Sequence, residues 1–253
     1  MPISKPYHRF YRRVAGKDGN EGYNSTAYIE DREYAQKPEL YLRSFLLIQE
    51  DLKRLFDYIE PSDANLKTYS FRIYELFIRI CLEVEANFKA ILRENKYSVD
   101  SALWTIKDYK KICKSHHLGG YRVKYPVWTG SKSTFAPFGG WEFSGKLDWY
   151  DVYNKCKHNR YENMPQANFN NLLKAFAGLT ALLYAQFCDR DFQPGDCLLS
   201  VGSSDYYACE FAAGEYMMIE YPLDWSDDEL YDFSWDELQS SPDRFDMYDF
   251  DMI

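Results

Sequence analysis

Apolar residues recur at helical spacing through the middle of the chain. From Leu40 to Ile59, and again from Thr68 or Ser70 to about Asn95, they fall three or four positions apart, which predicts two amphipathic helices. The second pattern is the strongest in the chain, and its roughly 25 residues would span about 38 Å. We expect this second helix to be the central helix of the fold.

Three further stretches have the same period. They predict helices over Val99–Cys113, Lys146–Tyr161 and Gln166 to about Cys188. Pro165 is well placed at the start of the last helix, because its missing N–H would have no helical partner there. Residues 38–190 are therefore predicted to form a helical bundle domain of four to five helices, and the fold class is mainly α.

A different pattern interrupts and follows the bundle. Residues 118–145 are rich in Gly, Pro, Ser and Trp, and connections of this length usually serve as lids or binding loops. Within them, Tyr121–Tyr125 has the composition of a short strand. Residues 191–222 are predicted to form a short β-rich segment, because apolar residues alternate there between Gly and Ser turns. The three predicted strands are Cys197–Val201, Tyr206–Phe211 and Tyr216–Tyr221.

The two ends of the chain differ in charge. Residues 1–37 lack a sustained period and form a basic, Tyr-rich N-terminal arm. Residues 223–253 alternate acids with aromatic residues and carry eleven acids and one arginine, so that this tail is −10 and the rest of the −9 chain is +1. A nearly neutral body leaves room for basic patches that bind nucleic acid. Acidic–aromatic alternation is typical of a segment that docks onto a partner surface.

The same composition bears on location. The chain has no apolar run of the roughly 18 to 20 residues that cross a bilayer, and its N-terminus lacks the apolar core of a secretory signal. We therefore expect a cytoplasmic protein with no membrane partner. The six cysteines are scattered, and Cys81, Cys156 and Cys188 fall on apolar helix positions, which predicts buried free thiols.

Candidate chemistry is confined to clusters of polar side chains. The chain contains no P-loop, dinucleotide-binding glycine motif, zinc-protease motif or nucleophile elbow. Cys113, His116 and His117 are candidate metal ligands, but a polar helix end explains three such residues better than a metal site. We therefore predict neither a metal site nor a cofactor.

One polar cluster lies on the helix predicted over residues 146–161. Asp151, Asn154, Lys155 and His158 follow each other at spacings that share one helix face. An imidazole transfers protons near neutral pH, and a neighbouring cation stabilises charge on a phosphate. These are the minimum groups for metal-free RNA cleavage by the 2′-hydroxyl. The alternative is a solvated helix face, with His158 at the helix end where a cation suits the dipole.

A second polar line follows the predicted central helix. It consists of Arg72, Glu75, Arg79, Glu83 and Asn87. One interpretation is a row of intrahelical ion pairs, each worth about 0.2 to 0.5 kcal/mol. The other is that this line faces His158 and supplies a carboxylate that orients the imidazole, as in catalytic triads.

The order of these features resembles the HEPN superfamily. The resemblance covers about Leu40 to Cys188 and depends mainly on the residues from Asn154 to Arg160, where a basic residue precedes a histidine in a late helix. The usual family signature has an Arg four to six positions before the His, whereas here Lys155 precedes His158 by three. HEPN proteins are four- or five-helix bundles, often dimeric. Many are metal-independent ribonucleases of toxin–antitoxin, CRISPR or anti-phage systems, and others are scaffolds.

The resemblance implies a protein that acts on RNA as a homodimer. The residues it implies for catalysis are His158 as general acid and base, with Asn154, Lys155 and Glu75. Lys157, Arg160 and Arg79 would bind phosphate. Outside the region of resemblance, the charge of the basic arm makes Arg12 and Arg13 candidate RNA-binding residues. The acidic tail would restrain the activity.

A different function remains open at this point. The helical body would be a non-catalytic scaffold, and its acidic tail would bind a partner protein. The two hypotheses require different surroundings of His158, because a catalytic site needs a concave cleft and a second polar group within hydrogen-bond reach.

Overall fold

The structure of the protein is a computed structural model that describes residues 3–14, 26–143, 145–188, 190, 202–203 and 217–253. Within these residues the fold is mainly helical with a small sheet, which confirms the predicted class. Five of the described helices have ten residues or more. In chain order the helices are α1 (Pro38–Phe56), α2 (Phe71–Glu94), α3 (Ile106–Ser115), α4 (Gly139–Phe143), α5 (Asp148–His158), α6 (Arg160–Asn163), α7 (Phe169–Phe187) and α8 (Trp235–Leu238).

Helices α2, α3 and α7 begin where side chains cap their free N–H groups. The Ser70 hydroxyl accepts a hydrogen bond from the Ile73 N–H at 3.2 Å, so α2 starts at the predicted place. Helix α3 starts later than predicted, because Thr105 and Asp108 form a capping box there. Helix α7 also starts later, since Asn168 caps it and Pro165 lies in the preceding 3-10 turn.

Helix α2 packs against α1, α3, α5 and α7, as predicted for the central helix, and α7 is the more completely buried of the two. All residues of α7 except Asn170 and Lys174 are buried, whereas α2 exposes one side, which includes Arg72 and Leu82. Lys174 is the single charged residue of α7, so this helix packs against neighbours on nearly every side.

No helix in the described part of the chain is long and apolar enough to cross a membrane.

The sheet joins two segments that the sequence pattern keeps apart. Strands β1 (Arg122–Lys124) and β2 (Thr134–Phe135) come from the long loop, while β3 (Gly202–Ser203) and β4 (Met218–Glu220) come from the predicted β-rich segment. Their order is β2-β1-β4-β3, with β4 antiparallel to β1 and Val123 opposite Ile219.

Both Val123 and Ile219 are fully buried, so the sheet belongs to the main core and is not a separate appendage. The strand predicted at Tyr121–Tyr125 is confirmed by β1, and the one at Tyr216–Tyr221 by β4. The strands predicted at Cys197–Val201 and Tyr206–Phe211 lie outside the described residues.

The loop from residue 118 to 145 is anchored by Asp63. Its carboxylate accepts hydrogen bonds from the Trp128 indole at 2.7 Å and from the Ser131 and Lys132 N–H groups at 3.0 Å each. The bond from Trp128 is the largest of the effects that lower the pKa of Asp63 to about 2. Because this turn is fixed, the loop is a packed part of the fold and not a lid.

The N-terminal arm and the acidic tail pack on each other. Ile3 and Val14 both form bridges to Tyr231, and Tyr7 forms one to Asp246. The tail buries its aromatic side chains and exposes its acids. The buried set is Tyr231, Trp235, Phe245 and Phe250, in one core with Phe10, Tyr28 and Tyr34 of the arm. The aromatic face of the tail is thus occupied by the protein's own arm, and the binding of a partner through the exposed acids stays a prediction.

The cysteines are placed as predicted. Cys81, Cys156 and Cys188 are buried and form no disulfide, and Cys113 is buried as well. Cys197 and Cys209 lie outside the described residues.

Candidate nucleic-acid interface

Helix α5 has one buried and one exposed face. Trp149, Val152, Tyr153 and Cys156 are buried, and the Trp149 indole donates a hydrogen bond to the Pro137 carbonyl at 2.8 Å. This face packs α5 against α7 and α2. The opposite face therefore points to solvent, which is where the predicted polar cluster lies.

The end of α5 carries a group of exposed cations. Asn159 leaves the helical conformation at φ −143° and ψ 83°, and its side chain caps α6 by accepting from the Glu162 N–H. The cations flank this break. They are Lys155, Lys157, His158 and Arg160, and all four are exposed. We call these residues, together with Tyr161, the α5 basic end.

The charges of the α5 basic end are not neutralised by neighbouring acids. In the part of the chain that the structure describes, Lys155, Lys157 and Arg160 form no ion pair. Lys157 lies over the Tyr153 ring, with Nζ 5.4 Å from the ring centroid. Tyr161 is 94% exposed, which is unusual for a large ring and gives a stacking surface beside the cations.

His158 lacks the surroundings of a catalytic histidine. Its side chain is exposed and makes no hydrogen bond among the described residues, and Asn154, half-buried on the preceding turn, is not bonded to it. The predicted tail restraint is also not seen, because an exposed His158 is not covered by residues 223–253. The structure thus favours the solvated helix end over a preformed acid–base site.

The polar line of α2 does not reach His158. Glu75 and Arg79 line a groove of about 610 Å³ between α1 and α2, and Arg79 is hydrogen-bonded to Asp51 of α1. The α2 carboxylate that contacts α5 belongs to Glu85, which accepts from the Tyr150 hydroxyl at 2.7 Å. The roles predicted for Glu75 and Arg79 beside His158 are therefore corrected, since the helix turns these side chains toward α1.

Arg12 is likewise unavailable to a phosphate. It is 3% exposed and donates hydrogen bonds to the carbonyl groups of Glu229 at 3.0 Å and Ser115 at 3.2 Å. Its prediction as an RNA-binding residue is corrected, because a buried guanidinium bonded to carbonyl oxygens fixes the fold. Arg13 is exposed, and its own carbonyl accepts from the Tyr231 N–H at 3.0 Å.

The residues considered as metal ligands separate in the structure. His116 is buried against the Phe10 ring, with centroids 3.8 Å apart, while His117 turns to the tail and Cys113 lies in the core. No group of three or more potential ligands is found among the described residues.

A second cavity was missed by the sequence reasoning. It measures about 510 Å³ and lies between α3, α4 and residues 224–229 of the tail. The spacing of Lys110 and Lys114, one helical turn apart, predicts that they share a helix face. It does not predict the cavity, because Glu142 and the tail acids come close to them only in the folded chain.

Comparison of the chain with known protein families, with curated proteins and with solved structures found no match to any of the three. The HEPN relationship therefore stays a prediction.

Proposed function

We propose that this protein binds single-stranded RNA through the α5 basic end. The observation that carries the proposal is the combination of four exposed cationic or titratable side chains with Tyr161, which is 94% exposed. Proteins bind single strands by tracking phosphates with cations and by stacking bases on aromatic rings. Both kinds of group are present here within seven consecutive residues, from Lys155 to Tyr161.

The surroundings of His158 support binding better than cleavage. A metal-independent ribonuclease needs a second group that orients the imidazole or stabilises the phosphate charge. Glu75 and Arg79, the residues predicted for this role, face α1 instead. Among the described residues no side chain is hydrogen-bonded to His158, so cleavage would require a further group that orients the imidazole. The finer expectations, an HEPN ribonuclease of a toxin–antitoxin or anti-phage system, depend on that further step.

Binding is tested with labelled single-stranded RNA by fluorescence anisotropy. The triple variant Lys155→Gln, Lys157→Gln, Arg160→Gln should bind at least about tenfold more weakly, and the slope of log affinity against log salt should fall by about 2. Tyr161→Ala should lower affinity about fivefold or more with little effect on that slope. The matched control removes three exposed cations elsewhere, as Arg32→Gln, Arg43→Gln, Lys67→Gln. Equal losses in the two triple variants would show that net charge, and not this surface, binds RNA.

Cleavage is tested on the same RNA in EDTA. We expect bound and intact RNA with both the wild type and His158→Ala. Cleavage by the wild type that disappears in His158→Ala would replace the binding function with a ribonuclease. A contaminating nuclease would be recognised because it persists in that variant.

A second candidate function, a non-catalytic interaction protein, is favoured by the outer face of α1 and α2. Six large apolar side chains are exposed there or beside it: Leu40, Leu47, Tyr58, Tyr69, Phe71 and Leu82. The groove between the helices alternates charges, with Arg54 and Arg72 beside Asp51 and Glu75. Such a surface is complementary in charge to itself, so the occupant we propose is a second copy of this chain.

Light scattering after gel filtration tests this homodimer. Leu47→Asp with Phe71→Asp should convert a dimer to a monomer, whereas Leu103→Asp, at another position that is 68% exposed, should leave it intact. A wild type that is monomeric at high concentration would exclude the dimer.

We place the protein in the cytoplasm as part of the same proposals, because the cysteines that the structure describes form no disulfide.

A further inference from the structure

The cavity between α3, α4 and the tail has the size of a small-molecule site. Its volume of about 510 Å³ falls within the range of ligand pockets. Helix α3 supplies Lys110 and Lys114, α4 supplies Trp141 and Glu142, and the tail supplies Asp224 and Glu229.

His117 fastens one wall of this cavity and is not itself available to a ligand. Its Nε2 lies 2.9 Å from a Glu229 carboxylate oxygen and its Nδ1 lies 3.4 Å from Asp224. The imidazole also stacks on Trp225, with centroids 3.9 Å apart. Burial opposes the ionisation of Glu229, but hydrogen bonds from Ser226 and His117 outweigh it and lower its pKa to about 2. The tail therefore forms a fixed, negatively charged wall.

The opposite wall offers two cations and one carboxylate. Lys110 and Lys114 form no ion pair within the described residues, so their amino groups are available to an anion. The Glu142 carboxylate lies against Gly119, where a Cβ would be 2.1 Å from the Glu142 Cδ. Among the residues described, Glu142 accepts no hydrogen bond. This carboxylate thus lies against the Gly119 backbone and, on an exposed side chain, is able to accept from a ligand.

Trp141 adds a flat apolar surface. Its indole is half-buried and packs against the rings of Phe138 and Phe88, with centroids 5.6 and 6.0 Å apart. An aromatic side chain fixed from behind and exposed on a cavity stacks well with a planar ring.

We infer that this cavity binds a guanine nucleotide. The phosphate would lie on Lys110 and Lys114, and the base would stack on Trp141. Guanine presents two adjacent N–H groups on its Watson–Crick edge, which match the two oxygens of the Glu142 carboxylate. Adenine presents an acceptor beside its amino group at the same edge, and that acceptor repels a carboxylate. The nucleotide is either free or part of an RNA strand, and the site is separate from the α5 basic end.

Calorimetric titration with guanosine and adenosine monophosphates tests the inference. The wild type should prefer GMP over AMP by about tenfold or more. Glu142→Gln should remove this preference and retain binding at the AMP level, whereas Lys110→Gln with Lys114→Gln should weaken both nucleotides. Lys107→Gln, an exposed lysine of the same helix that does not line the cavity, should change neither. A melting curve equal to that of the wild type shows that each variant is folded.

Several outcomes would overturn the assignment. These are equal affinity for GMP and AMP without a guanosine preference within RNA, no binding of either nucleotide without such a preference, and binding of inorganic phosphate as tightly as GMP. Oligoribonucleotides with a single guanosine or adenosine separate the two sources, since preference for guanosine only within RNA assigns the site to the polymer. The triple variant of the α5 basic end should bind GMP like the wild type. A loss of RNA binding by the α5 basic end can therefore be distinguished from a loss of nucleotide binding by the cavity.

Discussion

The Arg9 Nε donates a hydrogen bond to a Glu94 carboxylate oxygen at 2.7 Å in the interior of the protein. The Arg9 side chain is fully buried and that of Glu94 is 7% exposed. The same guanidinium donates to Gln186 of α7 and to the Gln36 carbonyl. Arg9 also has a φ of +62°, a conformation that costs energy in a residue with a side chain. The N-terminal arm is thus tied to α2 by an ion pair and to α7 by a hydrogen bond, both made by one guanidinium.

Removal of Arg9 should strongly destabilise the fold. Arg9→Leu leaves the Glu94 carboxylate buried without its cation, and we expect a loss of about 3 to 5 kcal/mol in the free energy of unfolding. Arg72→Leu is the matched control, because Arg72 pairs with Glu75 at 3.1 Å on the surface and should cost about 0 to 1 kcal/mol. Urea unfolding measures both values. Similar losses in the two variants would contradict the buried role of Arg9.

The tail should contribute to stability through its aromatic residues. Phe250 is 1% exposed and Met252, in the same 3-10 turn, is 81% exposed. Phe250→Ala should therefore cost about 3 to 5 kcal/mol, while Met252→Ala should change stability by less than about 0.5 kcal/mol. Thermal unfolding checks the difference. If Phe250→Ala were as stable as the wild type, the tail would not belong to the core.

His116 should make the protein less stable below neutral pH. Burial lowers its pKa to about 3, although the Arg9 carbonyl at 3.1 Å from Nε2 partly opposes this effect. The unfolded chain, with a His pKa near 6.5, binds more protons than the folded chain between these values, so stability is complete above pH 6.5 and falls as the pH drops.

Urea unfolding between pH 7 and pH 5 measures this dependence. We expect the wild type to lose about 1 to 2 kcal/mol over that interval, and His116→Gln to lose this part of the slope. His158→Gln is the control and should retain the slope, because His158 is exposed. An unchanged slope in His116→Gln would assign the pH dependence to other groups.

Two neighbouring glycines of α4 should respond differently to alanine. A Cβ at Gly140 would lie 2.2 Å from the Lys146 carbonyl oxygen, whereas one at Gly139 would meet Ala136 at 3.5 Å, an ordinary contact. We expect Gly140→Ala to cost about 1 to 3 kcal/mol and Gly139→Ala to be neutral or slightly stabilising. Thermal unfolding of the two variants tests this. Equal stability of the two variants would contradict a close contact between position 140 and the Lys146 carbonyl group.

One candidate site is formed by residues close in sequence, and the other by residues far apart in sequence. The cations of the α5 basic end are neighbours in sequence, so helical spacing alone places them together. The contact between His117 and Glu229 joins residues 112 positions apart, and no local pattern connects them. The roles predicted for Glu75 and Arg79 failed for a related reason, because periodicity identifies a shared face but not the helix that this face contacts.

The sequence by itself determined the five longer helices, the strand in the long loop and the buried cysteines, because period and capping act over a few residues. Only the tertiary structure decided that α7 is buried on nearly every side, that Arg9 and Arg12 are buried, and that the tail packs on the N-terminal arm. Acids alternating with aromatic residues suit a segment that binds any complementary apolar surface. The rest of the chain decides which surface the tail binds, and in this protein that surface is the N-terminal arm.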